Sequence, residues 1–151
     1  YYLAQRNQTK SMYKRNIDIL VKFKNFDFEI WRPSADLFFL KKPKSILEMN
    51  GLPIQIRPNH IFSYGSEKKK SVGGIWFITW LDGFNQGDLG IYSEALFRYL
   101  SSYYSDDYTV NPAACITVDV SSAQSISYNK ILEGEIPSLL DSSINYLKKY
   151  L

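Results

Sequence analysis

Few side chains of this 151-residue chain are of the types that act directly in catalysis. His60 is the single histidine and Cys115 the single cysteine. A Ser-His-Asp or Cys-His arrangement would therefore depend on them, and a zinc site would lack ligands. The sequence contains no nucleophile-elbow motif. Because Cys115 lies in the apolar segment 115–120, we predict a buried and unreactive thiol.

Carboxylates are the remaining candidates, because paired acids beside a lysine suit Mg²⁺-dependent phosphodiester hydrolysis. The acids considered are Asp27, Glu29, Asp36, Glu48, Asp82, Asp88, Glu94 and Asp119. Glu67 beside 68–70 is the nearest cluster of acid and lysine, but its place between two apolar runs favours a solvated turn. Asp119 lies on a predicted strand and faces either a cleft or solvent. The glycines at 83 and 87 lack the lysine and Ser/Thr of a phosphate-binding loop.

Two apolar runs within 52–80 predict the hairpin that would position such groups. The first run extends from Ile54 to Phe62 and the second from Val72 to Trp80, with a charged turn between them at 65–70. The second run is almost continuously apolar, which predicts a strand covered on both faces.

A helix and a strand are predicted after the hairpin. The helix covers 89–104, with Asp88 as its N-cap, and the strand covers 115–120. A helical connection of this length predicts that the strand lies parallel to the second strand of the hairpin.

Shorter elements are predicted around this centre. The apolar spacing of Tyr13, Ile17 and Leu20 predicts an amphipathic helix over 9–23, capped by Thr9 or Ser11. Residue patterns elsewhere predict a half-buried strand at 26–31, a short strand at 37–40, a hairpin around Asn50-Gly51, a turn at Asn111-Pro112, a short strand at 125–128 and a last helix from Pro137 to the end. In that last helix, Ser138 and Asp141 resemble a capping box.

Together these elements predict one α/β (α+β) domain over 1–151, with a mixed central sheet, an antiparallel hairpin and helices on both faces. Hydrophobic residues make up 45% and charged residues 22% of the chain, as in globular proteins. The net charge of +3 permits contact with nucleic acid without requiring it. One cysteine and the lack of an apolar run of about 18 residues predict a cytoplasmic protein without a membrane span. Since the chain begins at Tyr1, we expect it to be a segment of a longer product.

The segments 57–61 (RPNHI) and 72–76 (VGGIW) resemble the core of the PD-(D/E)XK nuclease superfamily. In that superfamily a Pro-Asp pair begins one strand of a hairpin, and the next strand carries an acid, any residue and a lysine. The two acids bind Mg²⁺, the lysine orients the attacking water, and a helix and a further strand follow. Here Asn59 stands at the first acid, Gly74 at the second acid and Trp76 at the lysine. By element order the resemblance extends over about residues 9–120, and it implies a restriction-endonuclease-like fold.

These substitutions imply a degenerate site with no catalytic residue and no metal. Asparagine is at best a neutral oxygen ligand, while glycine offers no ligand and tryptophan no ammonium group. The resemblance therefore implies a catalytically silent module of a bacterial or phage DNA-processing or defence protein. Such a module would bind nucleic acid or a partner chain.

Nucleic acid would be held by basic side chains on phosphates and by tyrosines stacked on bases. The predicted phosphate contacts are Arg57, Lys68, Lys69, Lys70 and Arg98. One alternative is an active Mg²⁺-dependent nuclease whose acids have moved, for instance to Glu29, Asp36 or Glu94. Another is a structural or protein-interaction domain with exposed aromatic residues. No cofactor is predicted, except Mg²⁺ in the nuclease alternative.

Overall fold

A computed structural model describes residues 2–66, 69–80 and 82–151, with the backbone alone for 2–5 and 69. The strands within these ranges are β1 (Phe38–Phe39), β2 (Ile46–Met49), β3 (Leu52–Gln55), β4 (His60–Ser66), β5 (Lys69–Ile78), β6 (Thr109–Asp119) and β7 (Ser125–Ser127). The helices are α1 (Tyr2–Lys24), α2 (Gln86–Tyr104), α3 (Asn129–Leu132) and α4 (Leu140–Leu147), with 3₁₀ turns at Phe28–Trp31 and Lys148–Tyr150. The predicted cluster at Glu67 and Lys68 lies outside the described residues, as does the side chain of Lys69.

The strands form a five-stranded mixed sheet in the order β1-β4-β5-β6-β7 and a separate two-stranded sheet of β2 and β3. β5 and β6 are parallel and are joined through α2, while the other neighbouring strands are antiparallel. The predicted α+β class, with a mixed sheet, an antiparallel hairpin and a parallel pair, is confirmed. The order of strands in the large sheet follows their order along the chain, so β5 lies at its centre.

Both faces of β5 are covered, as its apolar sequence predicts. Val72 is fully buried in the cluster that contains Leu96 and Leu100 of α2. On the opposite face Ile75 packs in a second cluster with Trp31. Backbone pairing on both edges and side-chain packing on both faces leave the middle of this strand without a surface for a ligand.

The first apolar run of the predicted hairpin is divided between two sheets, which corrects the prediction of one strand. Ile54 belongs to β3 and pairs with Leu47. The chain then leaves this small sheet and enters β4 at His60. The hairpin predicted around Asn50-Gly51 is confirmed, and both residues adopt positive φ, at 50° and 78°.

The strand predicted at 26–31 is wrong, because this segment is a 3₁₀ turn. The Asp27 side chain accepts a hydrogen bond from the Glu29 N–H at 3.0 Å and caps the turn. The turn places Trp31 beside Phe23 and Phe26, with the Phe26 and Trp31 ring centroids 4.4 Å apart. An aromatic cluster over the sheet therefore replaces the alternating strand that the sequence pattern indicates.

The helix predicted over 9–23 is confirmed and is longer, so Thr9 and Ser11 lie inside it and are not caps. Its apolar stripe does not face the body of the protein. Tyr13, Ile17 and Leu20 are 59%, 58% and 69% exposed.

The limits of the later elements also differ from prediction. α2 begins earlier than predicted, and its N-cap is Asn85, with Asp88 as the reciprocal partner in a capping box. The turn predicted at 111–112 lies inside β6, which is longer than predicted and shifts register against β5 between Val72 and Gly74. The short strand near 125–128 is confirmed as β7.

The last helix was predicted from Pro137, but α4 begins at Leu140, and no side chain caps it. Ser138 and Asp141 do not form the predicted capping box, because both bond to side chains of α2. The short helix α3 was not predicted. In the described part of the chain, no helix has the length and apolar character needed to cross a membrane.

Candidate functional site

The three motif positions come together at the end of the β4–β5 hairpin. The Asn59 N–H donates to the Ile75 carbonyl at 2.9 Å, and the Asn59 Oδ1 accepts from the Phe77 N–H at 2.8 Å. Because His60 pairs with Ile75, the residue before it lies beside Trp76. Asn59 thus extends the pairing of β4 with β5 through its side chain.

Positions 74 and 76 face α2, and packed side chains occupy the space around them. A side chain at Gly74 would start 3.1 Å from the His60 carbonyl oxygen and 3.3 Å from the Leu96 Cδ1. The Trp76 ring makes an edge contact with Tyr92 of α2, with the centroids 5.3 Å apart. These positions, which would carry the acid and lysine of a nuclease, therefore serve backbone pairing and core packing here.

A groove lies directly beside this closed end of the hairpin. It has a volume of about 380 Å³ and is lined by Lys42, Pro43, Ser45, Ile56, Arg57, Pro58, Asn59, His60 and Tyr99. Lys42, Arg57 and His60 are exposed to solvent. Among the described residues, no aspartate or glutamate lines this groove, so its lining is electropositive and suits an anion.

Tyrosines of α2 hold the segment that brings Lys42 to the groove. Tyr104 donates its hydroxyl hydrogen bond to the Lys41 carbonyl at 2.6 Å, and Tyr99 lies 3.5 Å from the Pro43 carbonyl. Tyr103 donates to the Ile46 carbonyl at 3.1 Å. Burial raises the pKa of Tyr99 to about 12, so its hydroxyl remains a donor at neutral pH.

The structure separates the basic residues that were predicted to contact phosphates. Arg57 lines the groove. Lys70 pairs with Gly65 near the turn of the hairpin, six residues from Trp76 and thus about 20 Å along the strand. Arg98 is bound to carboxylates. Lys42, His60 and Tyr99 were not predicted as site residues, because no sequence spacing joins them to Arg57.

Arg98 is the centre of an ion-pair network between α2 and α4. Its guanidinium donates to both oxygens of Asp141 at 2.7 Å and to the Glu94 Oε1 at 2.6 Å. Glu94 is only 2% exposed and also accepts from the Ser138 hydroxyl at 2.9 Å. The Arg98 hydrogen bond holds the pKa of Asp141 below its ordinary value. Asn50 also donates to Asp141, at 3.1 Å, and so links the β2–β3 hairpin to this network.

Asp119 ends β6 in a closed polar turn and faces neither a cleft nor solvent, as it is fully buried. Its carboxylate accepts from the Ser121 hydroxyl at 2.7 Å, the Ser122 hydroxyl at 2.8 Å and the Ser121 N–H at 2.9 Å. Burial alone would raise its pKa, but these bonds and one from the Phe84 backbone outweigh burial and hold the pKa below 3.8. Its lone pairs are thus occupied by the protein itself.

The other candidate groups are dispersed. Glu29 pairs with Arg32 at 3.4 Å on the surface, and Asp36 is exposed. Cys115 is fully buried, as predicted, and burial raises the pKa of its thiol. Across the residues that the structure describes, no group of three or more His, Cys, Asp and Glu side chains is placed to hold a metal ion.

Comparison with protein-family models, with curated proteins and with solved structures finds no match to this chain.

Restoring the motif residues is expected to damage the fold without creating a nuclease. In the double variant Gly74→Glu/Trp76→Lys, two charged side chains would be placed between β5 and α2, and the glutamate would collide with Leu96. We expect no Mg²⁺-dependent cleavage of DNA and a loss of about 3 kcal/mol or more in the free energy of unfolding, measured by urea denaturation. The control Trp80→Lys changes a side chain that is 62% exposed and should cost less than about 0.5 kcal/mol. Cleavage by the double variant, or wild-type stability, would contradict the packing argument.

Removing the cation of the α2–α4 network should be costly. Arg98→Ala leaves the Glu94 carboxylate buried without its charge partner, and we expect a loss of about 3 kcal/mol in the free energy of unfolding. The matched variant Arg32→Ala removes a pair whose side chains are 45% and 72% exposed, and it should cost less than about 0.5 kcal/mol. Equal losses in the two variants would show that the network does not stabilise the fold.

The buried turn at Asp119 predicts a pH-dependent contribution to stability. The pKa of Asp119 in the folded state lies below the unfolded value of 3.8. As the pH falls, this carboxylate is therefore protonated in the unfolded state before it is protonated in the folded state. The contribution is therefore complete above that value and is lost as the pH falls through the folded pKa. Asp119→Asn should cost about 2 kcal/mol at neutral pH.

The measurement is urea denaturation of both proteins between about pH 7 and pH 2, where the difference in unfolding free energy should shrink at the acidic end. The control Asp106→Asn removes an exposed carboxylate and should stay within about 0.5 kcal/mol of wild type. A difference for Asp119→Asn that is constant over this range would refute the assignment.

Proposed function

We propose that this chain is a catalytically silent, nuclease-like module that binds nucleic acid in the groove beside Asn59. The proposal places it in the cytoplasm, in a bacterial or phage DNA-processing or defence protein. It includes the inference that the mixed sheet is a restriction-endonuclease-like variant. The support for that inference is the element order, since the antiparallel pair β4–β5, the helix α2 and the parallel strand β6 follow the order of the superfamily core.

The observation that carries the proposal is the charge of the groove. In a metal-dependent nuclease, two carboxylates hold a cation, and the cation contacts the phosphate. Here Asn59, Gly74 and Trp76 occupy the corresponding end of the hairpin, and Lys42, Arg57 and His60 line the adjacent groove. The Lys42 and Arg57 cations can contact a phosphate directly, so the proposed binding needs no metal ion.

An exposed aromatic ring, that of Phe39, lies next to His60 at the groove. The His60 ring lies 5.5 Å from the Phe39 ring, measured between centroids, and Phe39 is 69% exposed. Exposed rings beside basic side chains are the elements by which proteins bind single strands without reading their sequence. The proposed ligand is therefore nucleic acid bound mainly through its backbone.

The alternative of an active nuclease with relocated acids receives less support. Glu94 is saturated by Arg98 and Ser138, and Glu29 is paired with Arg32 at the surface.

A protein-interaction role is supported by a different surface, the exposed face of α1.

Anisotropy titrations with labelled single-stranded and double-stranded DNA and RNA test the proposal. We expect micromolar binding that weakens steeply between about 50 and 200 mM salt. The variant Lys42→Ala/Arg57→Ala should weaken binding about tenfold or more for every sequence and lower the salt slope by about two.

A charge-matched control distinguishes the effect of the groove residues on affinity from the effect of the protein's net charge. Lys130→Ala/Lys149→Ala removes the same charge from residues outside the groove and should leave the affinity within about twofold of wild type, because screened distant charges contribute little. Absence of binding, binding without salt dependence, or equal losses in the two variants would refute the proposal. Metal-dependent cleavage by the wild-type protein would favour the nuclease alternative instead.

A further inference from the structure

α1 carries an apolar row that faces away from the rest of the protein. Tyr13, Ile17 and Leu20 recur at intervals of four and three residues, which places them on one side of the helix. Val21 flanks them, and these four side chains are 58–69% exposed. A helix normally gains its stability by burying such a row, so this face has the character of a binding surface.

The C-terminal part of α1 provides its attachment to the body. Phe23 packs against Trp31 in the cluster over β5 and β6. The Lys22 Nζ donates to the Ser121 carbonyl at 2.5 Å, and Ile19 lines a hollow with Thr79. These contacts attach the C-terminal part of α1 to the body and leave residues 6–18 exposed.

Basic residues continue the same row at both ends. The interval pattern extends without a break through Arg6, Lys10, Tyr13, Ile17, Leu20 and Lys24. The row therefore reads basic, apolar, basic over about 27 Å of helix. Arg6, Lys10 and Lys24 are exposed, and among the described residues no ion pair neutralises them.

We propose that this face of α1, the α1 seam (Arg6, Lys10, Tyr13, Ile17, Leu20 and Lys24), docks an acidic amphipathic helix of a partner protein. Such a helix would place three apolar side chains against the centre of the seam and carboxylates against its two ends. Two basic residues, Arg6 and Lys10, precede the apolar centre and one, Lys24, follows it, so a partner helix meets positive charge at both ends. The proposal is independent of nucleic-acid binding at the groove.

Other occupants fit the seam less well. A second copy of the chain would set basic ends against basic ends in either orientation, and like charges at facing positions disfavour pairing. The phosphates of nucleic acid would not bury the exposed apolar side chains of the row. An anionic membrane would bury the apolar centre, but only three residues of the seam are apolar and the charged residues lie on the same line, where they oppose insertion.

The probe is a synthetic helix of about three heptads with leucine at the central seam positions and glutamate at the outer ones. A second peptide carries lysine in place of glutamate. In anisotropy titrations with the full chain, we expect the acidic peptide to bind at least tenfold more tightly than the basic peptide. The variant Lys10→Glu/Lys24→Glu should reverse that preference.

Variants of the apolar centre test the location. Ile17→Gln/Leu20→Gln should lose at least tenfold in affinity for the acidic peptide while keeping the helical circular dichroism signal, because both positions are exposed. The matched variant Tyr146→Gln/Leu147→Gln changes two side chains of α4 that are 58% and 53% exposed and should bind as wild type does.

Three results would overturn the proposal. These are equal affinity for the two peptides, equal losses in the two glutamine variants, and binding of phosphatidylserine vesicles or DNA through the seam in place of the peptide. The groove variant Lys42→Ala/Arg57→Ala should bind the acidic peptide normally, so a failure of nucleic-acid binding would leave this test intact.

Discussion

The packing of β5 on both of its faces is the constraint on which the rest of the structure depends. Ile75 faces the aromatic cluster around Trp31, and Gly74 and Trp76 face α2. Backbone hydrogen bonds from β4 and β6 occupy its two edges. A strand that is enclosed in this way offers no space for a metal ion or for water at its centre. Chemistry at this hairpin is therefore confined to its open end, beside Asn59.

α2 closes the core and at the same time shapes the groove. Leu96 packs over Gly74, while Tyr104 hydrogen-bonds the segment that carries Lys42. The network of Arg98, Glu94 and Asp141 then fixes α4 against the same helix. The groove thus depends on the rigid core beneath it, which is the arrangement expected where a binding site is built on packed elements.

The centre of the fold was predictable from sequence, because it rests on short-range patterns. The apolar run of β5, the Asn50-Gly51 turn and the apolar stripe of α2 each contain enough local information to define an element. The strand prediction for the alternating segment 26–31 was wrong, because the Asp27 cap and contacts between aromatic rings determine the conformation of this segment. The predicted start of β6 was wrong for a similar reason, since Thr109 and Val110 pair with β5 on the N-terminal side of Pro112 and extend the strand.

The candidate site was predictable only in part. The sequence located Arg57 and the motif positions, which the hairpin brings together. It did not locate Lys42, which reaches the groove only through β1 and the tyrosines of α2, and it did not show that Arg98 is neutralised by Asp141, 43 residues later. Such groupings depend on tertiary contacts between distant segments, and no spacing in the sequence encodes them.

The absence of a metal requirement is the central claim and has one direct test. The affinity for a single-stranded oligonucleotide is measured in EDTA and then in Mg²⁺, with the ionic strength held constant. Because lysine and arginine would replace the metal at the phosphate, we expect equal affinity in the two buffers and an intact oligonucleotide in both. Binding that requires Mg²⁺, or cleavage of the oligonucleotide when Mg²⁺ is added, would contradict this account.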